Sequence, residues 1–272
     1  MRLPLLATAL LALAFPATAQ SLPPLPPAIK AQGLLRAGVR CDQPPYGYRT
    51  EKGEFAGVEV EMARQIAAWA FGAPDKIELV CVTAENRIPQ LNAKRVDLLI
   101  ATLGVTPERA RVVDFAEAYR WGGSDLIVKK NSPIRKLDDV KGKTVIMLRG
   151  TTQSAWFDAN TPTQESLRLN TISDALQALL QDRGDAFAAD AATLIVIAAH
   201  DPTLRMVSEP FAISDAAIGL RKNEPDWMAY LNAAQNRMKA EGLYAKWLVQ
   251  WVPEDIRPFY AEAFEKPRPQ GR

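Results

Sequence analysis

Side chains that bind metals or act as nucleophiles are scarce in this sequence. The chain has 272 residues but only two cysteines, Cys41 and Cys81, and a single histidine, His200. A structural zinc site usually takes about four Cys or His ligands, and a Cys/His nucleophile pair needs both residue types side by side. The sequence also lacks CxxC pairs, an HExxH motif and the glycine-rich nucleotide-binding patterns. We therefore predict no metal, nucleotide or organic cofactor and no cysteine catalysis.

An excess of either charge is missing as well. The 33 lysines and arginines nearly balance the 31 aspartates and glutamates, which leaves a formal net charge of +2. Proteins that bind nucleic acid or anionic lipid through their overall charge are strongly basic. Neither kind of partner is predicted for this chain, and its 24% of charged residues is ordinary for a globular protein.

Long apolar runs are absent except near the N-terminus. Leu3–Phe15 is almost wholly apolar, follows the positive Arg2 and precedes small residues at positions 17–19. This order is typical of a secretory signal peptide, and the run of about 13 residues is shorter than the roughly 20 that a membrane-spanning helix needs. We predict a signal peptide over residues 1–19 with cleavage before Gln20, no lipid anchor, and a periplasmic mature protein.

The predicted periplasmic location indicates the oxidation state of the two cysteines. Cysteines of exported proteins meet an oxidising environment, in which they are more often bridged than free. Cys41 and Cys81 each end an apolar run that predicts one of two neighbouring strands. A disulfide bond between them is therefore predicted.

The rest of the chain alternates short apolar runs with segments of helical periodicity, which predicts an α/β fold. A Pro-rich stretch over residues 20–33 comes first and predicts a flexible or extended leader. The predicted strands are 34–40, 76–82, 96–102, 125–129, 145–148, 186–189 and 216–221. The predicted helices are 57–71, 86–94, 172–181, 191–200 and one long helix from about 226 to 252.

A change of organisation near Gly122 and another near Ser214 divide this series into two lobes. Lobe 1 is predicted to comprise residues 34–122 and 215–252, with lobe 2, residues 123–214, inserted into it. Two strands must then cross between the lobes and form a hinge that closes on a ligand. Residues 253–272 form a Pro-rich, charged tail to which the sequence assigns no role.

The motifs in this series resemble those of amino-acid-type periplasmic solute-binding proteins of ABC importers. The resemblance extends from Leu34 to Trp251 and rests on the motifs GVRCDQPPYGY, GVEVEMARQIA, NRIPQLNAKRVDLLIAT, VTPERARVVDFAEAY, GKTVIMLRGTT and GDAFAAD in this order. It implies a two-lobed clamshell that closes on a free amino acid outside the inner membrane. It also implies delivery of that amino acid by a monomer to the membrane permease of an importer, without catalysis.

The resemblance assigns the two ionic groups of the ligand to two residues. Arg109, three residues after the Thr of the TPER motif, is expected to bind the α-carboxylate, for which the planar guanidinium offers two parallel hydrogen bonds. Asp190, which closes the GDA…D motif, is expected to bind the ammonium group. The alternative for Arg109 is a solvated helix arginine, which is how Arg111 is interpreted. The alternative for Asp190 is a cap of the helix that begins at Ala191.

The resemblance also implies neutral contacts to the ligand. Thr102 and Thr152 are expected to donate to its polar groups, while for Thr151 a ligand contact and turn or cap chemistry stay as alternatives. Gly104 stands where many members carry a hydroxyl, so only its backbone remains for binding. Tyr46 is expected to cover the ligand at the mouth of the cleft, where Trp121 is a second candidate.

The sequence leaves alternatives for the preferred amino acid and for the class of function. Arg87 resembles an arginine that reaches the side-chain carboxylate in aspartate- and glutamate-binding members, but the same stretch occurs in members for polar or neutral ligands. Cyclohexadienyl dehydratases share the fold and motifs, and Glu85 and Glu108 lie near the predicted cleft. A periplasmic sensor or accessory protein is the third class.

Overall fold

The computed structural model describes residues 21–268 of the chain. The predicted signal peptide, residues 1–19, lies outside the described residues. Among residues 21–268, no helix combines the length and the apolar character that crossing a membrane requires.

The described part of the chain alternates strands and helices, and the predicted α/β class is confirmed. The strands are β1 Leu35–Val39, β2 Asp42–Gln43, β3 Gly47–Arg49, β4 Phe55–Ala56, β5 Ile77–Cys81, β6 Leu98–Ile100, β7 Asp114–Lys129, β8 Val145–Leu148, β9 Ser166–Leu169, β10 Ala186–Asp190, β11 Leu204–Met206 and β12 Phe211–Leu220. The helices are α1 Pro27–Gln32, α2 Val58–Phe71, α3 Arg87–Asn92, α4 Pro107–Ala110, α5 Thr152–Asn160, α6 Ile172–Leu180, α7 Ala191–His200, α8 Pro225–Ala240, α9 Leu243–Trp251 and α10 Arg257–Glu265.

One sheet runs through both halves of the molecule in the order β5-β1-β6-β12-β7-β10-β8-β9. Strands β5, β1 and β6 pair in parallel, as do β10, β8 and β9. The middle of the sheet is formed by β12 and β7, which pair antiparallel with each other and are the two predicted crossover strands. The predicted lobe boundaries at 122/123 and 214/215 fall inside these strands and stay a prediction.

The apolar residues collect on the two sides of the crossover strands. The first half has its main core between α2, α8, α9 and the sheet, around Met62, Ile66 and Trp227. The second half has separate apolar clusters, one around Phe187 and Leu194 and another that lies on the opposite face of the sheet. Two cores of this kind allow each half to keep its shape while the angle between them changes.

Two sequence predictions about element length were wrong. The strand predicted over 125–129 is only the end of β7, which begins at Asp114 and continues through Gly122-Gly123. The single helix predicted over 226–252 is divided into α8 and α9 at Gly242, whose φ of 66° lies in the left-handed region that glycine adopts without a Cβ clash.

The predicted tail also contains a regular element. Helix α10 packs on α9 and β7, and its Tyr260 and Phe264 are buried in the main core. Its alternation of apolar and polar residues is too short to stand out in a Pro-rich sequence, so only tertiary packing reveals it.

Cys41 and Cys81 are joined by a disulfide bond. Cys81 ends β5 and Cys41 comes two residues after Val39, the last residue of β1, so the bond closes the carboxyl end of this strand pair. A disulfide stabilises a protein mainly because it restricts the unfolded chain.

We expect the double variant Cys41→Ala/Cys81→Ala to lose about 4 kcal/mol of unfolding free energy, because the bond spans a sequence separation of 40 residues. Urea unfolding of the oxidised protein and the variant measures the difference. Reductant is expected to bring the wild type to the level of the variant and to leave the variant unchanged. A loss below about 1 kcal/mol would contradict the expected contribution.

Candidate functional site

A cavity lies between the two halves at the carboxyl ends of β1, β6, β8 and β10. This is the edge of an open α/β sheet at which ligands bind. Its charged and polar lining consists of Arg40, Gln43, Arg87, Thr102, Arg109, Arg120, Ser124, Thr151, Thr152, Gln153, Asp190 and Ser214, together with Gly104 and several small apolar residues. The structure therefore brings six of the seven ligand-contact residues predicted from sequence to one cavity, and the exception is Tyr46.

Arg109 bridges the two sides of the cavity. The short helix α4 places it there, with Thr106 accepting a hydrogen bond from the Arg109 backbone N–H. Its Nη1 donates to the Gly104 carbonyl at 2.6 Å, and its Nη2 donates across the cleft to the Gly150 carbonyl at 2.9 Å. Burial lowers the pKa of the guanidinium, which stays charged because an arginine pKa is so high.

Arg87 is a second guanidinium in the wall and is only 3% exposed. Its Nη1 donates to the carbonyls of Ala101 and Thr102 at 2.5 and 3.1 Å, while its Nε is buried without a partner among the described residues. Desolvation, and then the charge of Arg109, lower its pKa well below the usual value. In residues 21–268 no carboxylate forms a salt bridge with either arginine, so both present uncompensated positive charge to the cavity.

Asp190 caps a helix, one of the two roles weighed from sequence, and it also lines the cavity. Its Oδ1 accepts a hydrogen bond from the Ala192 backbone N–H at 3.1 Å, so it caps α7. Its Oδ2 lies 3.3 Å from Nη2 of Arg120, and the carboxylate also lines the cavity. The cap and the salt bridge fix the direction in which this carboxylate points.

Tyr46 does not lie at the mouth of the cleft, where the sequence placed it. It is fully buried, and the guanidinium of Arg120 lies 4.0 Å from its ring centroid. The Tyr46 position follows from the loop after β2, which turns the ring away from the cleft and into the main core. Tyr46 therefore supports Arg120 from below by a cation–π contact instead of covering a ligand.

Thr102 is held in a strained conformation by Glu59. Its φ of 50° is unusual for a β-branched residue. The Thr102 backbone N–H lies 3.0 Å from both carboxylate oxygens of Glu59, and the Thr102 hydroxyl donates to the same carboxylate at 3.1 Å. The Tyr119 hydroxyl donates to it as well, at 2.6 Å. Burial raises the pKa of Glu59, an effect that these hydrogen bonds and Arg120 oppose.

Gly104 and the start of α5 face each other across the cavity. A Cβ at Gly104 would lie 3.1 Å from Thr152 and 3.3 Å from Nη1 of Arg109, so the small residue makes room for both. Thr151 caps α5 by accepting from the Ser154 N–H at 3.2 Å, which is one of its two alternatives from sequence. Thr152 is the first residue of the helix and lines the cavity.

The sequence analysis missed several cavity residues. Arg40 and Gln43 follow β1, the position at which α/β sheets bind ligands, and this position was the available signal. Gln43 donates to Thr193 of the other half at 3.2 Å. Arg120 had a different signal, a charged residue between the two aromatic residues Tyr119 and Trp121 of a strand. Gln153, which donates to Ser124 at 2.7 Å, had none.

The charges of the cavity favour an anionic group. Among the described residues its wall contains four arginines and one aspartate. Arg40 is paired with Asp42 at 2.6 Å and Arg120 with Asp190, so Arg87 and Arg109 supply the excess. Residues 21–268 contain no group of three His, Cys, Asp or Glu residues arranged to hold a metal ion.

Comparison with known proteins identifies the family. Residues 35–254 match the bacterial extracellular solute-binding proteins, family 3. The chain belongs to this family. A glutamine-binding protein of an ABC transporter of Bacillus subtilis, GlnH, is 30% identical over 230 residues, which cover 84% of each protein.

Two solved structures superpose on most of the described fold. The solute receptor for L-cysteine of Neisseria gonorrhoeae is 32% identical and has a TM-score of 0.81, with 89% of this chain and 96% of that one covered. The cysteine-binding protein of Campylobacter jejuni is 30% identical with the same TM-score, covering 83% of this chain and 91% of that one. The predicted clamshell of two lobes joined by crossover strands is thereby confirmed.

We expect Glu59→Gln to reduce the unfolding free energy by about 1–3 kcal/mol, because an amide offers only one acceptor oxygen to donors that now share two. Denaturant unfolding measures the change. Glu61→Gln on the same helix is the control, because Glu61 is partly exposed and pairs only with Arg64. Equal stability of the two variants would show that the Glu59 carboxylate is not needed to hold Thr102.

Proposed function

We propose that this protein binds a free α-amino acid in the cleft outside the inner membrane and delivers it to the permease of an ABC importer. The observation that carries the proposal is that Arg109 and Asp190, of opposite charge and from opposite halves, line one cavity. Family membership, and relatives named for binding glutamine and cysteine, support the same class of ligand. The predicted signal peptide supports the extracytoplasmic location.

The α-carboxylate is assigned to the side of the cavity where Arg109 meets the start of α5. The guanidinium supplies charge-assisted donors. The first backbone N–H groups of a helix have no partner within the helix and favour an anion in front of them. Thr152 and Gln153 offer such groups, and both residues line the cavity. A carboxylate placed here touches both halves at once.

The ammonium group is assigned to Asp190. Its carboxylate keeps acceptor capacity beyond the Ala192 N–H and Arg120, since an ionised carboxylate has about four lone-pair positions. An amino acid spanning Arg109 and Asp190 joins the halves by two charged contacts. Part of its binding free energy is thereby used to shift the protein toward the closed conformation.

The proposal is tested by calorimetry on the refolded, ligand-free mature protein, titrated with the twenty amino acids. We expect at least one to bind, and Arg109→Met and Asp190→Asn to weaken that binding by at least about 30-fold, because each leaves a ligand charge unpaired. Arg111→Met is the matched control, since Arg111 is exposed two residues further on. Absence of binding by all twenty would overturn the proposal.

The side chain of the ligand is assigned to the neighbourhood of Arg87, and we propose an acidic amino acid, aspartate or glutamate. The supporting observation is the uncompensated charge of Arg87 beside Arg109. An α-carboxylate neutralises one of these two guanidinium groups, and a second carboxylate neutralises the other.

The measurement for this preference is the ratio of aspartate to asparagine affinity, which cancels any general effect of a variant on the cleft. We expect the wild type to favour aspartate and Arg87→Met to reduce the preference by about tenfold or more. Thermal unfolding verifies that the variant is folded. A wild-type protein that prefers asparagine, glutamine or another neutral amino acid would keep the receptor function and reject the role of Arg87.

A further inference from the structure

The last part of the chain that the structure describes lies outside the family match. That match ends at residue 254, whereas residues 257–268 form helix α10 and a short extension. We call residues 257–268 the C-terminal strap. The strap contacts lobe 1, the crossover strands and lobe 2, and each of these contacts lies behind the cavity described above.

The contacts with lobe 1 are aromatic. The ring of Tyr260 lies 6.0 Å from that of Tyr46, the residue on which Arg120 rests. The ring of Phe264 lies 6.1 Å from that of Tyr119, whose hydroxyl holds Glu59. The strap thus packs directly against the two tyrosines that support the floor of the cleft.

The contacts with the crossover strands are polar and come from the end of the strap. The indole Nε1 of Trp121, in β7, donates to the Lys266 carbonyl at 3.0 Å. The guanidinium of Arg268 lies 3.6 Å from the carboxylate of Asp215, in β12. Trp121 therefore faces the strap instead of the ligand, and the strap is fastened to both strands of the hinge.

The contact with lobe 2 includes a buried hydrogen bond. The hydroxyl of Tyr260 donates to the carbonyl of Ala192, in the first turn of α7. The N–H of the same residue, Ala192, donates to Asp190. Tyr260 consequently reaches Asp190 by two routes, one through Ala192 and the other through Tyr46 and Arg120.

We infer that the C-terminal strap stabilises the closed conformation and that Tyr260 is a positioning residue for Asp190; this inference rests on the proposed function. Tyr260 approaches from the lobe 1 core, while Ala192 moves with lobe 2. Their hydrogen bond therefore forms when the halves are together, an arrangement that the protein also samples without ligand. It contributes to retaining the ligand after closure and adds nothing to the encounter of ligand with the open cleft.

The test compares Tyr260→Phe with Tyr244→Phe. Both substitutions remove one hydroxyl from a buried tyrosine, Tyr260 within the strap and Tyr244 packed on Phe264 of the strap. The Tyr244 hydroxyl, however, has no hydrogen-bond partner among the described residues. We expect Tyr260→Phe to raise the dissociation rate of the bound amino acid by about two- to tenfold, the usual effect of one hydrogen bond, with an unchanged association rate. Tyr244→Phe is expected to change neither rate.

Hydrogen exchange on the ligand-free protein separates this inference from the proposed function. We expect Tyr260→Phe to accelerate exchange in peptides covering residues 190–197, and Tyr244→Phe to leave them unchanged. If no amino acid binds, the proposed function fails and the exchange comparison alone decides whether the strap holds α7. Equal exchange in the two variants would overturn the inference. So would faster exchange in Tyr260→Phe without any change in the dissociation rate of a ligand that does bind.

Discussion

The structure depends on a guanidinium buried where the two halves meet. Arg120 is 4% exposed and lies in crossover strand β7, between the ring of Tyr46 and the carboxylate of Asp190. A charge taken out of water is tolerated only where other charges and dipoles surround it. Glu59, beneath the cavity, adds a second compensating carboxylate. The hinge, the floor of the cleft and the cap of α7 therefore share one electrostatic cluster, and none of them is independent of the others.

This cluster explains which parts of the site were predictable from the sequence. Arg109 and Asp190 were found because their motifs are local and resemble those of known relatives. The order of strands and helices followed from hydrophobic periodicity, which is also a local property. Arg120 and Tyr46 depend on contacts between segments far apart in the chain. The residues near Tyr46 in sequence do not indicate that its ring packs against the guanidinium of Arg120 instead of a ligand.

The errors in element length have a similar physical origin. β7 contains two glycines and an arginine in its middle, which weaken the strand pattern, and its partner β12 lies about 90 residues further on. Gly242 ends α8 by a backbone conformation that the apolar pattern on both sides does not reveal. Helix α10 is held by tertiary contacts of Tyr260 and Phe264 with a core assembled from the rest of lobe 1.

The continuous sheet has a mechanical consequence. Since β7 and β12 remain hydrogen-bonded to each other along the boundary, the halves have no freedom to slide past one another without breaking the ladder. The pairing of these strands is irregular between Phe211 and Ser214 and again between Ala216 and Gly219. Such bulges concentrate bending and twist in one place. The molecule thus bends most easily at these bulges, next to the cavity, and the intact ladder favours a change of angle between the halves over sliding.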